Sequence, residues 1–487
     1  MRQLTTLALA AALLAPAAIP GAPPVAVTVR TNSTVVERFM GAGVQWDPYE
    51  YPPSPEDWTT TLHRVDFMQP GYLRVMWNAS AYLRGFDAAG NPRYVWSEGE
   101  TGMDRLHWLL AILDYAQSHH IDVLIGEWSP SRGLNVAGER VGAADPHWAK
   151  VHAGFLKYLL GVRQYTVIKY FNYMNEPNGN WMWPGGKVDY DAWAQGISNL
   201  RKELDAQGLG GVRIAGPDNS GNWEWLDRSA ADLGREFGAW EMHWYAKDSD
   251  VLDDKIEQLL TEKREMLGKA DPQAASKPLF IGESGMIEGK TNGDQQPRVK
   301  EFAYGVLMAD YFAQVARAGW QGATAWDLDD ALHVNTGGHV TPPTARTLKI
   351  WGFWNTQGAV MGHPEDEAIR PWFYTWSLMA RLFPVGARIV AAESGPGVRA
   401  LAALREGALS VMLVNDSDAK HTVTMRVPGG GRHAIAMYRY FDKDRPATAE
   451  GFPAVSRELP VTDLTKGLRI ELPSRGVVFL TTAAPAP

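Results

Sequence analysis

Tyr170-Phe171-Asn172-Tyr173-Met174-Asn175-Glu176-Pro177-Asn178 is an apolar, aromatic run that breaks abruptly at Asn-Glu-Pro. The run reads as a buried strand, and its ending places a carboxylate where strand gives way to loop. A second ending of this kind follows at Pro278-Leu279-Phe280-Ile281-Gly282-Glu283-Ser284-Gly285. Two such glutamates suit cleavage of a glycosidic bond. That reaction needs a proton donor for the leaving oxygen and a carboxylate to attack or stabilise the oxocarbenium-like centre. The two acids take different roles only if their surroundings separate their proton affinities. Asn175 offers an amide to a substrate hydroxyl, and Pro177 restricts the backbone of Glu176. Glycines on either side of Glu283 allow backbone and ligand to approach closely. Either glutamate alone is more often a solvated loop residue or an ion-pair partner. The pair, with chain between them for three further strand and helix steps, favours catalysis.

Working outward, apolar strands alternate with amphipathic helices, the pattern of a parallel sheet with crossover helices. The strands are expected at Met40 to Trp46, Tyr72 to Trp77, Ile121 to Glu127, Ile168 to Asn175, Val212 to Pro217, Trp240 to His243, Pro278 to Glu283 and Gly322 to Asp327. Ser54-Pro55-Glu56-Asp57 and Asp145-Pro146 mark helix starts, a capping side chain before proline, and Pro70-Gly71 and Gly208 mark ends. Arg298 to Ala318 supplies one outer helix. Eight strand and helix units predict an α/β fold, a (β/α)8 TIM barrel over residues 39–384 with catalysis at the strands' carboxyl ends. Beyond Pro384, short alternating runs at Arg399 to Leu404, Leu409 to Asn415, His421 to Val427 and Val477 to Thr481 predict an accessory antiparallel β-sandwich over residues 385–487. Val25 to Arg38 also alternates, so residues 23–38 are expected to join that sandwich.

Composition narrows the function classes. The chain has 487 residues, 45% hydrophobic and 21% charged, room for two domains. Its net charge of −8 comes without a basic block, so neither nucleic acid nor an anionic membrane is an expected partner. Cysteine is absent, which removes disulfides, thiolate metal sites and cysteine nucleophiles. No metal or cofactor is called for. Twenty Trp and 17 Tyr can offer flat faces and hydrogen-bonding edges to sugars, although most rings in such a chain belong to the core. Arg2, the apolar run Leu7 to Leu14 and Ala15-Pro16-Ala17 look like a secretory signal, expected over residues 1–22 with cleavage after Ala17 or near Ala22. The run is shorter than the roughly 20 residues a spanning helix needs. The expected protein is therefore secreted, extracellular or periplasmic.

The paired endings resemble those of the retaining glycosidases of clan A, a superfamily that includes cellulases, mannanases, xylosidases and glucuronidases. The resemblance runs from Met40 to Pro384. It implies that Glu176, closing the fourth barrel strand, is the acid/base and that Glu283, closing the seventh, is the nucleophile. Ile281-Gly282-Glu283-Ser284-Gly285 is similar to family 5, whereas the split sandwich is more similar to families 30, 39 and 79. By the same resemblance Arg74 holds the nucleophile carboxylate ionised. Asn175 belongs to the matching Asn-Glu-Pro ending, His243 and Tyr245 match a His-x-Tyr pair on one strand face whose tyrosine hydrogen-bonds the nucleophile, and Trp326 is the platform beneath the sugar. Taken as bare residues, Arg74 would be a structural ion-pair partner, and His243 and Trp326 core.

Gln45, Trp46 and Asp47 at the end of the first barrel strand, and Glu127 with Trp128 at the end of the third, are further candidates for the proximal sugar. Trp181 and Trp183 are candidates for a wall at the leaving-group sugar. The acidic group Asp327, Asp329 and Asp330 lacks a calcium-loop pattern and is expected as solvated loop. The sequence thus predicts a retaining β-glycoside hydrolase acting on a poly- or oligosaccharide, with the two carboxyls about 5 to 5.5 Å apart. Two alternatives stay open: a carbohydrate-binding protein on the same barrel without chemistry, and a transglycosylase sharing the covalent intermediate.

Overall fold

The computed structural model describes residues 23–49, 52–96, 105–128, 134–179, 189–333 and 349–483. The expected signal segment, Trp181 and Trp183 lie outside the described residues. Among those described, no helix is long and apolar enough to cross a membrane.

After β1 (Val25–Val36), eight units follow. They are β2 (Gly41–Gln45) with α1 (Pro55–Met68), β3 (Tyr72–Trp77) with α2 (Arg105–Ser118), β4 (Asp122–Glu127) with α3 (Pro146–Lys157), and β5 (Ile168–Asn172) with α4 (Tyr190–Ala206). Then come β6 (Arg213–Ser220) with α5 (Trp223–Asp232), β7 (Phe237–Ala246) with α6 (Lys255–Ala270), β8 (Leu279–Met286) with α7 (Phe302–Arg317), and β9 (Gly322–Ala325) with α8 (Pro371–Leu382). Strands β2 to β9 pair in parallel, each with the next, and close a barrel of eight. Local chemistry explains the helix starts. Ser54 caps α1 in a reciprocal capping box with Asp57, and Asp145 caps α3, each followed by proline at the first turn. The expected helix from Arg298 begins only at Phe302, because Pro297–Lys300 forms a separate 3-10 turn.

Inside the barrel, Tyr72, Leu124, Tyr170, Ala215, Ala239 and Phe280 form one apolar layer near the strands' amino ends. This is a plug of side chains, as barrels of this size require. The carboxyl ends carry the polar side chains described below.

The C-terminal strands are β10 (Arg388–Ser394), β11 (Arg399–Arg405), β12 (Ala408–Asn415), β13 (His421–Arg426), β14 (Arg432–Tyr440), β15 (Arg457–Asp463), β16 (Leu468–Leu472) and β17 (Gly476–Thr481). With β1 they make a nine-stranded sheet in the order β15-β14-β17-β12-β11-β10-β1-β13-β16. It is antiparallel except at one place, where β1 runs parallel to β13. Leu459 on one edge strand and Ile470 on the other share a core with Val27, Leu413 and Val478. Strands at opposite edges can share a core only if the sheet folds over on itself, which is the sandwich. Its other face presents Met412, Tyr438, Tyr440 and Phe479 to the core shared with the barrel. Helix α7, buried from Tyr304 to Ala316, lies between the two, with Phe302 stacked on Tyr440 at 4.6 Å. A helix buried on nearly every side, its polar Gln314 donating to Asp310, fits that position.

Candidate active site

Glu283 reaches the barrel interior through a break in alternation. Along β7, Ala239 lies in the apolar plug, so Glu241, His243 and Tyr245 point inward at every second residue. On β8, Phe280 is also in the plug, which sends Gly282 inward and would send Glu283 out. The register slips here: Met242 pairs with Ile281 but His243 pairs with Glu283. A bulge of this kind re-aims a side chain. Gly282 permits it, since a Cβ at that position would collide with the Glu241 carboxyl.

Both Glu283 oxygens are held. Arg74 Nη1 donates to Oε1 at 2.5 Å and the Tyr245 hydroxyl donates to Oε2 at 2.6 Å. Arg74 also donates to Gln45, to Asn175 Oδ1 at 2.6 Å and to both oxygens of Asp218 at 3.2 Å. Gln45 Nε2 donates to Asp47 Oδ2 at 2.7 Å, so a continuous chain runs from the first barrel strand to Glu283. Glu176 faces this group, with His243 Nδ1 2.9 Å from its Oε1. One oxygen of Glu176, one of Glu283 and a ring nitrogen of His243 lie within 4.8 Å of one another. The Glu176 side chain is 14% exposed against 5% for Glu283, so Glu176 is the acid open to the mouth. Pro177 does not impose an extended backbone on Glu176, whose φ is +42°. That left-handed conformation is held by the Glu176 amide donating to the Asp218 carbonyl at 3.0 Å.

Burial pushes the Glu283 carboxyl above its ordinary range, against the opposing pull of His243 and Arg74. Burial lowers the Arg74 guanidinium, but Asp218 and Glu283 more than reverse this, and Arg74 holds its charge more firmly than a free arginine. Burial likewise disfavours a charged His243, and Glu283 and Asp218 overcome it, lifting the imidazole well above its ordinary value. Burial would raise Asp218, yet His243 and Arg74 draw it below the usual carboxylate range. Glu241 goes the other way, raised well above that range by burial and then by Asp218. Asp218, Glu241 and His243 also bring donor atoms within 4.8 Å of one another. Neither this set nor the first suits a resident metal ion. Arg74 is already the cation between Asp218 and Glu283, and His243 has both nitrogens engaged, Nδ1 with Glu176 and Nε2 with Asp218.

The other expected residues divide. Trp326 and Trp128 meet edge to face at 5.9 Å beside His333, which stacks on Trp326 at 4.7 Å. Gln45 and Asp47 point toward the centre, and Asp47 also accepts from the Met76 amide at 2.6 Å. Trp46, between them, does not reach the site: alternation turns it outward against Trp58 and Tyr115. Glu127 does not reach it either. Paired with the outward-facing Trp77, it accepts from the Ala79 amide at 2.6 Å and lies 3.9 Å from His152 of α3. The Asp327, Asp329 and Asp330 group is buried rather than solvated. Asp330 pairs with Arg370 and accepts from the amides of Trp351 and Gly352, while Asp329 accepts from the Thr356 amide and the Tyr49 hydroxyl. Backbone donors replace the water that a loop aspartate would use.

Asp218, Glu241 and His333 went unread in the sequence. Asp218 lies near the carboxyl end of β6, which runs on to Ser220, whereas the expected strand stopped at Pro217. Glu241 lies two residues before His243 and so shares its face. No protein-family model matches the chain, and no curated protein sequence matches it. Solved structures do share its fold. A GH30 endoxylanase from Clostridium papyrosolvens C71 is 15% identical, covering 94% of this chain and 100% of its own, with a TM-score of 0.64. A glucosidase from Croceicoccus marinus is 11% identical over 95% of this chain and 100% of its own, with a TM-score of 0.63. A GH39 beta-xylosidase from Caulobacter crescentus is 15% identical over 94% and 100%, with a TM-score of 0.59. The closed barrel with its appended folded sheet is thus the architecture found in GH30 and GH39 glycoside hydrolases of known structure.

Proposed function

We propose that this protein is a retaining glycoside hydrolase working by double displacement, with Glu283 as nucleophile and Glu176 as acid/base. The observation that carries the reading is the approach of the two carboxyls to within 4.8 Å at the barrel's carboxyl end. Retaining enzymes hold their carboxyls about 5 to 5.5 Å apart, whereas inverting ones leave about 6.5 to 9.5 Å for a water. In the first step a Glu283 oxygen bonds to the anomeric carbon as the bond to the leaving oxygen breaks, and that oxygen takes the proton of Glu176. In the second, Glu176 takes a proton from water, the water oxygen bonds to the anomeric carbon, and Glu283 departs as a carboxylate. Arg74 and Tyr245 aim Glu283 by holding both its oxygens. Trp326 with Trp128 supplies the apolar wall on which a sugar ring lies.

Xylan and aryl β-xylosides head the substrate panel, since an endoxylanase and a beta-xylosidase share the fold. Aryl glucosides and other plant and microbial polysaccharides follow. A 2-fluoro glycoside of the active substrate should label Glu283, read by peptide mass spectrometry; a label on another residue reassigns the nucleophile. Glu176→Gln should slow unactivated substrates about 10²- to 10⁴-fold, and unchanged turnover would count against the reading. Export through residues 1–22 is part of the proposal, and amino-terminal sequencing of the exported protein tests it.

A further inference from the structure

We propose that Asp218 is a positioning residue that holds His243 as an imidazolium between Glu176 and Glu283, with Glu241 beside it uncharged. The hydrolase reading enters only in naming the two glutamates it serves. The ring of His243 is fully buried, so protein groups rather than bulk water surround it. Nδ1 lies 2.9 Å from Glu176 Oε1 and 3.4 Å from Glu283 Oε2, and Nε2 lies 2.9 Å from Asp218 Oδ1. A neutral imidazole has one N–H: on Nδ1 it leaves the Nε2 lone pair facing Asp218, and on Nε2 it leaves the Nδ1 lone pair facing Glu283, ionised as the nucleophile, even while Glu176 holds its proton. Two N–H groups satisfy every contact, and two N–H groups mean a cation.

Asp218 is what makes that cation stable on the Nε2 side. Arg74 Nη2 stands 3.2 Å from Nε2 and, as a like charge, opposes it. Asp218 lies against both, accepting from Arg74 at 3.2 Å and from His243 at 2.9 Å, and its Oδ2 is 3.3 Å from the Glu176 amide. One carboxylate therefore touches the cation that holds Glu283, the ring that holds Glu176, and the backbone of Glu176. Glu241 brings a carboxyl oxygen within 4.8 Å of one of Asp218, and two carboxyls so close do not both ionise cheaply. Asp218 has two cations at hand while Glu241 has no ion pair among the described residues, so the proton belongs on Glu241. The directions in which Asp218 and Glu241 are displaced agree with that division. The charged groups facing His243 are thus Arg74 from β3, Glu176 beyond β5, Asp218 from β6, Glu241 on its own strand and Glu283 from β8, with the Tyr245 hydroxyl engaging Glu283.

The test is ring-nitrogen NMR of the full chain labelled with 15N-histidine, the His243 signal being identified by its loss in His243→Gln. Both nitrogens should carry protons from about pH 5 to about pH 8, and Asp218→Asn should lower the titration midpoint by about one pH unit or more. Glu241→Gln, which keeps the side chain uncharged, should move it by less than about 0.3 unit. A neutral His243 in the unaltered protein at pH 7, an unmoved midpoint in Asp218→Asn, or the large drop in Glu241→Gln instead would each overturn the proposal. If circular dichroism shows Asp218→Asn unfolded, the unaltered and Glu241→Gln spectra decide alone. No turnover is needed, so an inactive protein would remove the hydrolase reading and leave this one standing. On any aryl glycoside that is cleaved, Asp218→Asn should lose about tenfold more kcat with phenyl than with 2,4-dinitrophenyl as leaving group, KM staying within about twofold. Equal losses on both would reduce Asp218 to a structural part and overturn its positioning role.

Discussion

Tyr72, Leu124, Tyr170, Ala215, Ala239 and Phe280 close the amino end of the barrel as an apolar plug, whereas Arg74, Asp218, His243 and Glu283 pack charge against charge a few residues later on strands of the same barrel. Both layers are buried, yet they contribute oppositely. The plug removes apolar surface from water and stabilises the fold. The charged layer loses hydration and recovers it only through close pairing. Side chains kept at that cost are best explained by chemistry, and they sit where barrels place it.

The strongest way to break the contrast is Arg74→Met, which leaves Asp218 and Glu283 buried without their shared cation. It should destabilise the protein by about 3–5 kcal/mol and abolish turnover, measured by urea unfolding and by activity. A folded, active Arg74→Met protein would mean that the upper layer does not depend on this ion pair. Phe280→Ala probes the plug. It should destabilise by about 3–5 kcal/mol through lost burial and a cavity, while kcat of the folded fraction stays put. A fall in kcat without loss of stability would show that the layers are not separable.

Titration separates the layers more gently. Glu241 and Glu283 are raised by burial, as are Asp327 and Asp329 beside the site, and Asp310 under the sheet is pushed up to about 7 by burial. His243 is raised as well. Each group binds its proton more tightly folded than unfolded. Its contribution is therefore full below its unfolded value and lost as pH rises through the folded one. Asp218, lowered, acts in reverse: its contribution is lost as pH falls below about 4. Thermal melts should peak near about pH 5 and decline toward about pH 9. A Tm flat or rising over that interval would contradict the directions given for these groups. The smallest effect belongs to Trp46→Phe. Because this ring packs outward, the change should cost about 1–3 kcal/mol by cavity formation and leave KM unaltered. A raised KM would return Trp46 to the sugar.

The sequence made the barrel legible because strand alternation and helix caps are local. The eight strands fall where the apolar runs lie, and Ser54 and Asp145 cap the helices they precede. Trp46 and Glu127 were misplaced for one reason: a residue at a strand's end is near the mouth in sequence, but its parity decides whether it faces the mouth or the helices. Asp329 and Asp330 escape a local reading because their partners, Arg370 and the amides near Trp351 and Thr356, lie more than twenty residues away in sequence, and Asp327 is buried beside them with His333 Nε2 3.5 Å away.

Residue order alone determined that strands and helices alternate and that two of the strands end in glutamate, since periodicity and breakers act over a few neighbours. Tertiary structure decided what those glutamates touch. The register slip at Gly282 that turns Glu283 inward, the meeting of Asp218 with His243, and the folding of one sheet over its own core all depend on strands brought side by side by burial. A local pattern cannot encode which distant backbone it will lie against.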